Sequence, residues 1–177
     1  SIRINREGLN GQEVHKIYVG KQIGLDKLAD DQETKKMISR DDIRKLINEW
    51  KHSWNRHDLD GVMELFHDSV LFENWDGKRV VGKKALRKVW EPWFKQHGEF
   101  TINEEDTFID EINQKVLFQW KLEWPSSLPG FEGKTEKRRG LDVLHFRDGK
   151  IFRKYTYSKT TLEIDGKIFG AANHLVL

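Results

Sequence analysis

The segment from residue 116 to residue 124 constrains the fold more than any other part of this chain, because every second residue in it is a large apolar one without interruption. A period of two residues is typical of a β-strand with one face on a core and the other outside. The segment therefore predicts a long strand with a largely aromatic inner face. The inner positions are Val116, Phe118, Trp120, Leu122 and Trp124.

The order of the other predicted elements gives the fold class. Apolar residues recur at helical spacing near residues 40–56, in a shorter stretch after Asp58, and over Lys83–Gln96. A strand is predicted over Ser69–Trp75, and every element after Gly98 is a strand. We therefore expect an α+β domain: a strongly curved, mostly antiparallel sheet that wraps as a cone around three N-terminal helices and encloses a hollow.

Three regions are expected along the chain. Residues 1–38 contain two short strand-like segments broken by glycines and are interpreted as an N-terminal arm. Residues 39–160 form the α+β domain, and residues 161–177 form a C-terminal tail with an extra hairpin around Asp165 and Gly166.

Composition limits the function classes. The 177 residues include no cysteine and carry a formal net charge of +2, and none of their apolar runs is long enough to span a membrane. We therefore expect no nucleic-acid partner and no membrane association, and the absence of a histidine and acid cluster with ligand spacing predicts no metal. Without a signal-peptide pattern at the first residues, the expected location is cytoplasmic.

Aromatic residues are the unusual component of the sequence. It contains 7 tryptophans, 10 phenylalanines and 3 tyrosines, and all the tryptophans lie between Trp50 and Trp124. Large aromatic side chains often line ligand pockets as well as cores. Their placement on the predicted helices and strands around the hollow indicates an aromatic-walled pocket.

Three motifs occur along the chain. They are a helix–break–helix over Trp54–Phe66, a first strand within His67–Gly82 and a terminal hairpin over Gly140–Ile151. Together they resemble the nuclear transport factor 2-like superfamily, also called cystatin-like, and within it the branch of polyketide cyclases (SnoaL-like proteins) and ketosteroid isomerases. The resemblance covers about residues 40–160. This superfold hosts enzymes, binding proteins and interaction modules. The resemblance therefore specifies the fold but not the activity.

Two functions follow from this resemblance. The first is a cofactor-independent isomerase, cyclase or dehydratase that acts on a small, apolar, oxygenated compound by general acid–base chemistry. The second is a non-catalytic ligand-binding or dimeric interaction module. Neither function requires a cofactor, and the expected partner is a small apolar or aromatic ligand.

Asp142 is the first candidate catalytic residue, because it lies mid-strand between Leu141 and Val143. Burial there would raise its pKa and leave a neutral hydrogen-bond donor. The resemblance implies that this donor polarises an enolate oxygen, as the matching acid does in ketosteroid isomerases. The alternative is an ion pair with Arg139 or Lys154.

The catalytic base has two candidate positions, Glu73 and Asn74, because the two ways of aligning the first-strand motif differ by one residue. Alternation allows only one of them to face the hollow. Glu73 would move a proton, whereas an inward Asn74 would support polar binding without acting as a base.

Tyr155 is the third candidate catalytic residue, and its direction depends on the hairpin turn. A two-residue turn at Asp148 and Gly149 pairs Phe146 with Ile151, and so sets Tyr155 opposite Asp142 in an oxyanion site. A bulged turn brings Lys154 or Thr156 there instead, and a Lys–Asp contact indicates a structural ion pair.

Trp50 and Trp90 match positions where ketosteroid isomerases have tyrosines, and an indole N–H donates a hydrogen bond but cannot act as a phenol does. The resemblance therefore implies binding more strongly than steroid isomerisation. The apolar positions Leu117, Leu141 and Val143 on the opposite sheet face predict a homodimer. The expected ligand-binding residues are Trp50, Trp54, Phe72, Asn74, Trp90, Phe118, Trp120 and Trp124.

Overall fold

A computed structural model describes residues 36–170 of the chain. The expected N-terminal arm lies almost wholly outside the described residues, as do residues 171–177 of the expected tail. The described part contains three helices, α1 (Arg40–Asn55), α2 (Leu59–Glu64) and α3 (Lys83–Gln96). Its strands are β1 (Phe66–Glu73), β2 (Arg79–Val81), β3 (Thr101–Asp110), β4 (Lys115–Pro125), β5 (Thr135–Arg147), β6 (Lys150–Ile164) and β7 (Lys167–Gly170).

The first two helices begin where a side chain accepts a hydrogen bond from one of their first N–H groups. The Ser39 side chain accepts a hydrogen bond of 3.1 Å from the backbone N–H of Asp42 at the start of α1. The Asp58 carboxylate does the same for Gly61 at 2.8 Å, so α2 starts only four residues after α1 ends. Pro92 lies inside α3, which nevertheless continues to Gln96.

All strands belong to one sheet with the order β2-β1-β6-β5-β4-β3, and β7 pairs with β6. Every described pairing is antiparallel except the parallel pairing of β1 with β6. The sheet is strongly curved and unclosed. The expected α+β class, with helices before a mostly antiparallel curved sheet, is therefore confirmed.

The core lies between the helices and the concave face of the sheet. Strand β4 contributes alternate residues to it, and its Val116, Phe118 and Trp120 are at most 3% exposed. Ile43, Ile47 and Trp50 of α1 are equally buried. The alternation that predicted β4 is thus the inner face of the structure.

An ion-pair cluster around Glu104 attaches α1 to β3. The Glu104 carboxylate accepts hydrogen bonds from Arg44 at 2.7 Å, from Lys51 at 2.9 Å and from the Thr107 hydroxyl at 2.6 Å. Two of these donors come from α1, so the cluster fixes the position of the helix across the sheet.

The observed strands differ in part from those expected, and β1 begins at Phe66 and ends at Glu73 rather than spanning Ser69–Trp75. The short strand β2 is absent from the sequence prediction because its three residues give no measurable alternation. Strand β6 continues past residue 160 to Ile164 and then forms a hairpin with β7 around Asp165 and Gly166. The extra hairpin therefore exists, and it extends the main sheet.

Candidate functional site

A cavity of about 660 Å³ opens between the helices and the concave face of the sheet. This volume lies within the range of about 300–1,000 Å³ that is usual for small-molecule sites. We call it the aromatic cavity, because most of its apolar wall consists of Trp50, Trp54, Phe72, Trp75, Trp90, Trp93 and Trp120. Its polar wall includes Asn74, Gln96, His97, Asp142, Lys154 and Thr156.

The aromatic wall is held by edge-to-face contacts. Trp54 lies at its centre, with ring centroids 6.1 Å from Trp50 and 5.2 Å from Trp90, and Trp90 lies 5.3 Å from Phe72. Such contacts add to the burial energy and fix the ring planes. The wall is therefore a preformed surface for a flat apolar molecule.

Several indole N–H groups of this wall have no hydrogen-bond partner. The Nε1 atoms of Trp50, Trp54, Trp93 and Trp120 are buried without an acceptor. Buried donors are normally paired, so unpaired ones indicate hydrogen-bonding capacity that the fold itself does not use.

The polar end of the aromatic cavity is a buried cluster of Asp142, Lys154 and Thr156. Asp142 is 1% exposed and Lys154 is 4% exposed. The Lys154 ammonium donates to Oδ1 of Asp142, and also to the Thr156 hydroxyl at 2.6 Å. That hydroxyl donates to the same Oδ1 at 2.6 Å. Asp142 is thus an acceptor of hydrogen bonds here, and the ion pair with Lys154 is one of the alternatives that the sequence left open.

The electrostatic environment of Lys154 is unusual for a lysine. Its Nζ lies 5.5 Å from the ring centroids of both Trp50 and Phe72, so aromatic faces replace most of its water. Burial lowers the pKa of the Lys154 ammonium below its ordinary value, although the Asp142 carboxylate opposes that shift. The cavity therefore contains an amine that loses its proton more readily than an exposed one.

A β-bulge puts Lys154 and Thr156, rather than Tyr155, beside Asp142. The turn at Asp148 and Gly149 is the expected two-residue turn, with Phe146 opposite Ile151. An extra residue in β6, Phe152, then shifts the register by one position. As a result, every later side chain of β6 faces the side opposite to the one that regular pairing predicts.

Tyr155 consequently lies on the outer face of the sheet, opposite Val143 and 5.7 Å from the His145 ring. The expected contact with Asp142 is not made. Glu73 pairs with Tyr155 in the parallel ladder and lies on the same outer face, where it forms an ion pair with Arg79. The structure thus places two of the three expected catalytic residues outside the aromatic cavity, whereas Asn74, directly after the end of β1, lines it.

Most of the expected ligand-binding residues line the aromatic cavity, with two exceptions. Phe118 is fully buried behind Trp50, with ring centroids 5.1 Å apart, and does not reach the cavity surface. Trp124 packs edge-on against Trp93 at 5.7 Å near the end of the sheet. Alternation places both residues on the inner face, but it cannot distinguish a core position from a cavity wall.

Trp93 and His97 are among the wall residues that the sequence analysis did not name as site residues. Their rings stack with centroids 3.5 Å apart, and burial lowers the pKa of the His97 imidazole, which is therefore neutral near pH 7. The spacings from Trp90 to Trp93 and from Trp93 to His97 are three and four residues, which places the three side chains on one face of a helix. Extending the face that contains Trp90 to the end of α3 would therefore have indicated Trp93 and His97.

Gly140 provides the space that Trp120 needs on the inner face of β5. It is the direct partner of Trp120 in the ladder, and a methyl group at this position would lie 2.5 Å from Cζ2 of the indole. The flat position of Trp120 against the sheet therefore depends on the missing side chain.

Within residues 36–170, no set of three or more His, Cys, Asp or Glu side chains is arranged to hold a metal ion. The helices of this same part are too short or too polar to cross a bilayer.

A curved sheet packed on three helices around a polar-ended cavity defines an α+β pocket protein of the nuclear transport factor 2-like kind. Residues 47–154 match the SnoaL-like domain family. The chain therefore belongs to the SnoaL-like domain family. No protein with a curated description matches the sequence.

Solved structures with this fold are similar to the chain at low sequence identity. A proposed polyketide cyclase from Xanthomonas campestris is 19% identical, with a TM-score of 0.55 over 67% of this chain and 90% of its own. A nuclear transport factor 2-like protein of unknown function from Mesorhizobium loti is 20% identical, with a TM-score of 0.55 over 70% and 97%. TerC, co-crystallised with polyporic acid, is 17% identical, with a TM-score of 0.56 over 67% and 92%.

Proposed function

We propose that the protein binds a small, largely apolar compound with one oxygen function in the aromatic cavity and acts on it as a cofactor-independent isomerase, cyclase or dehydratase. The observation that carries this proposal is the buried Asp142–Lys154–Thr156 cluster at the end of an otherwise aromatic wall. The ligand oxygen lies at the cluster, and the apolar body lies against the tryptophans.

Lys154 is the group that holds the ligand oxygen. An ammonium has three N–H donors, and two of those of Lys154 are used by Asp142 and Thr156. The third is available to an oxygen in the cavity. In a site with little water, a fixed positive charge stabilises an oxygen on which negative charge develops, as in enolate formation.

Asp142 is the group that accepts a proton. Isomerisation and ring closure through an enolate both require a base that removes a proton from the carbon next to the carbonyl group. Glu73 lies on the outer face and bonds to Arg79, so it does not supply this base. Asp142 lines the cavity and has a second carboxylate oxygen beyond the Oδ1 used by Lys154 and Thr156.

Binding is tested first, by quenching of tryptophan fluorescence with a set of small aromatic ketones, phenols and alcohols. The expected result is saturable quenching in the native protein and at least about tenfold weaker affinity for the ketones in Lys154→Met, which is the loss of one charged hydrogen bond. Lys159→Met, on an exposed position of the same strand, is the matched control. Equal affinities in all three proteins would contradict the role of Lys154.

Catalysis is tested by following, with NMR in heavy water, the exchange of the acidic C–H protons of a ketone that binds. Exchange faster than in buffer, and lost in Asp142→Asn, is expected for an acid–base enzyme. Binding without exchange would instead support the second candidate, a non-catalytic binding protein. That candidate is favoured by the placement of Glu73 and Tyr155 outside the cavity.

We also propose that the protein forms a homodimer through the outer face of the sheet. Five side chains form an outer apolar patch across β4, β5 and β6: Leu117, Leu141, Val143, Tyr155 and Tyr157. Tyr157 is 53% exposed, which is high for a large aromatic residue. A second copy would cover this patch without blocking the aromatic cavity on the opposite face.

A further inference from the structure

Lys154 is a primary amine in the wall of a cavity that suits flat aromatic molecules. Its Nζ lies between the faces of Trp50 and Phe72, and its only described polar contacts are Asp142 and Thr156. An aromatic ring held against the tryptophans would place a substituent of one or two atoms at this amine. Lysines desolvated in apolar pockets are effective nucleophiles toward carbonyl carbons.

We infer that Lys154 forms an imine with aromatic aldehydes and ketones that bind in the aromatic cavity. The inference rests on the proposed function in one respect, because the same cavity must bind the carbonyl compound. It goes further by assigning a covalent step to a residue and by naming the class of ligand.

The Asp142 carboxylate supplies the proton transfers for this step. It first takes a proton from the Lys154 ammonium, and the freed amine then forms a C–N bond to the carbonyl carbon while the π electrons move to oxygen. The oxygen receives one proton from nitrogen and one from Asp142, and it leaves as water. The product is a protonated imine beside a carboxylate, so the total charge is unchanged and no oxidant or reductant is needed.

The surroundings of Lys154 favour this reaction over simple ion pairing. The burial that lowers the pKa of Lys154 also raises the fraction of free amine at neutral pH. The aromatic wall limits water around the imine and so slows its hydrolysis. The carboxylate stabilises the protonated imine after water has left.

The experiment uses the native protein with 2-naphthaldehyde and, as a non-reactive match, 2-naphthalenemethanol. Cyanoborohydride reduces any imine to a stable amine, and peptide mass spectrometry then locates the adduct. We expect Lys154 to be labelled at least about tenfold faster than the exposed Lys159 at pH 7, because the cavity holds the bound aldehyde beside this amine and burial raises its free-amine fraction. Labelling of Lys154 should also level off at a lower pH than labelling of Lys159.

The variant Lys154→Met should lose this adduct completely, whereas quenching by 2-naphthalenemethanol should weaken and stay saturable, because Lys154 holds the ligand oxygen but the aromatic wall is unchanged. If the native protein binds the alcohol but labels Lys154 no faster than Lys159, the imine inference is wrong and the proposed binding function stands. If it binds neither compound, both fail. The position of the adduct in the native protein decides the question even if the variant does not fold.

Discussion

The Lys154 ammonium reaches the Asp142 carboxylate diagonally across the β5–β6 ladder, because the direct partner of Lys154 is Leu144 and that of Asp142 is Thr156. Diagonal neighbours in a sheet are within reach only of long side chains. Lys154 therefore extends along the inner face, and its charge is placed at the cavity wall beside the carboxylate.

Removal of one partner of this pair should destabilise the protein strongly. Asp142→Asn leaves the Lys154 charge buried without a counter-charge, and we expect the free energy of unfolding at pH 7 to fall by about 3–5 kcal/mol. The double variant Asp142→Asn, Lys154→Met should recover most of this loss. Chemical denaturation of the two single variants and the double variant measures the coupling, and additive losses would show that the pair makes no joint contribution.

The stability of Asp142→Asn should increase with pH. Burial lowers the pKa of Lys154 in the folded protein, whereas an unfolded lysine has a pKa of about 10.4. At pH values between the pKa of the folded protein and that of the unfolded chain, the unfolded chain binds more protons than the folded one. The free energy of unfolding therefore rises with pH in this range. Thermal unfolding between pH 6 and pH 10 tests this, and a flat profile relative to the double variant would contradict it.

The Glu104 cluster should make the protein sensitive to acid. Burial raises the pKa of Glu104, but hydrogen bonds from Thr107, Lys51 and Arg44 outweigh it and lower the pKa to about 2. A lowered carboxyl pKa stabilises the folded state fully above the unfolded value of 4.5, and this contribution is lost as the pH falls toward 2.

The variant Glu104→Gln should therefore unfold more easily than the native protein at pH 7, by about 1–3 kcal/mol. The difference should shrink as the pH approaches 2. Denaturant titrations at several pH values measure it, and Glu132→Gln in an exposed loop is the control. A constant difference across this pH range would exclude the linkage.

Gly140→Ala should disturb the cavity through Trp120. The added methyl group would meet the indole ring and the carbonyl oxygen of Tyr157, and one of them must move. Overpacking of this kind destabilises a core by about 1–3 kcal/mol. We expect a lower melting temperature and weaker quenching by bound ligands, whereas Thr161→Ala on an exposed position of β6 should change neither.

The homodimer proposal predicts that Val143→Glu produces a monomer. The new carboxylate would lie in the centre of the outer apolar patch, where a second copy would have to bury it. Sedimentation at micromolar concentration measures the change, and the charge-matched control is Thr160→Glu. Because Val143 faces away from the aromatic cavity, ligand affinity should be unchanged. A native protein that sediments as a monomer would overturn the proposal.

The sequence predicted the fold better than the site, for a physical reason. Helical spacing in α1 and α3 and alternation in β4 depend on local periodicity, which the chain shows directly. The neighbours of Asp142 depend on an extra residue at Phe152, and a bulge leaves no periodic signal. The same limit applies to Phe118 and Trp120, since whether an inner side chain is core or cavity wall depends on what the helices cover.

The bulge at Phe152 has a consequence for how such a site can change. If Phe152 were paired with His145 instead of being left in the bulge, Tyr155 would lie opposite Asp142 and Lys154 would face outward. Deletion of Phe152 would not do this, because His145 is already paired with Arg153, so Lys154 and Thr156 would stay beside Asp142. In this fold the pairing state of one residue, rather than its presence, selects whether a bound molecule meets an amine or a phenol.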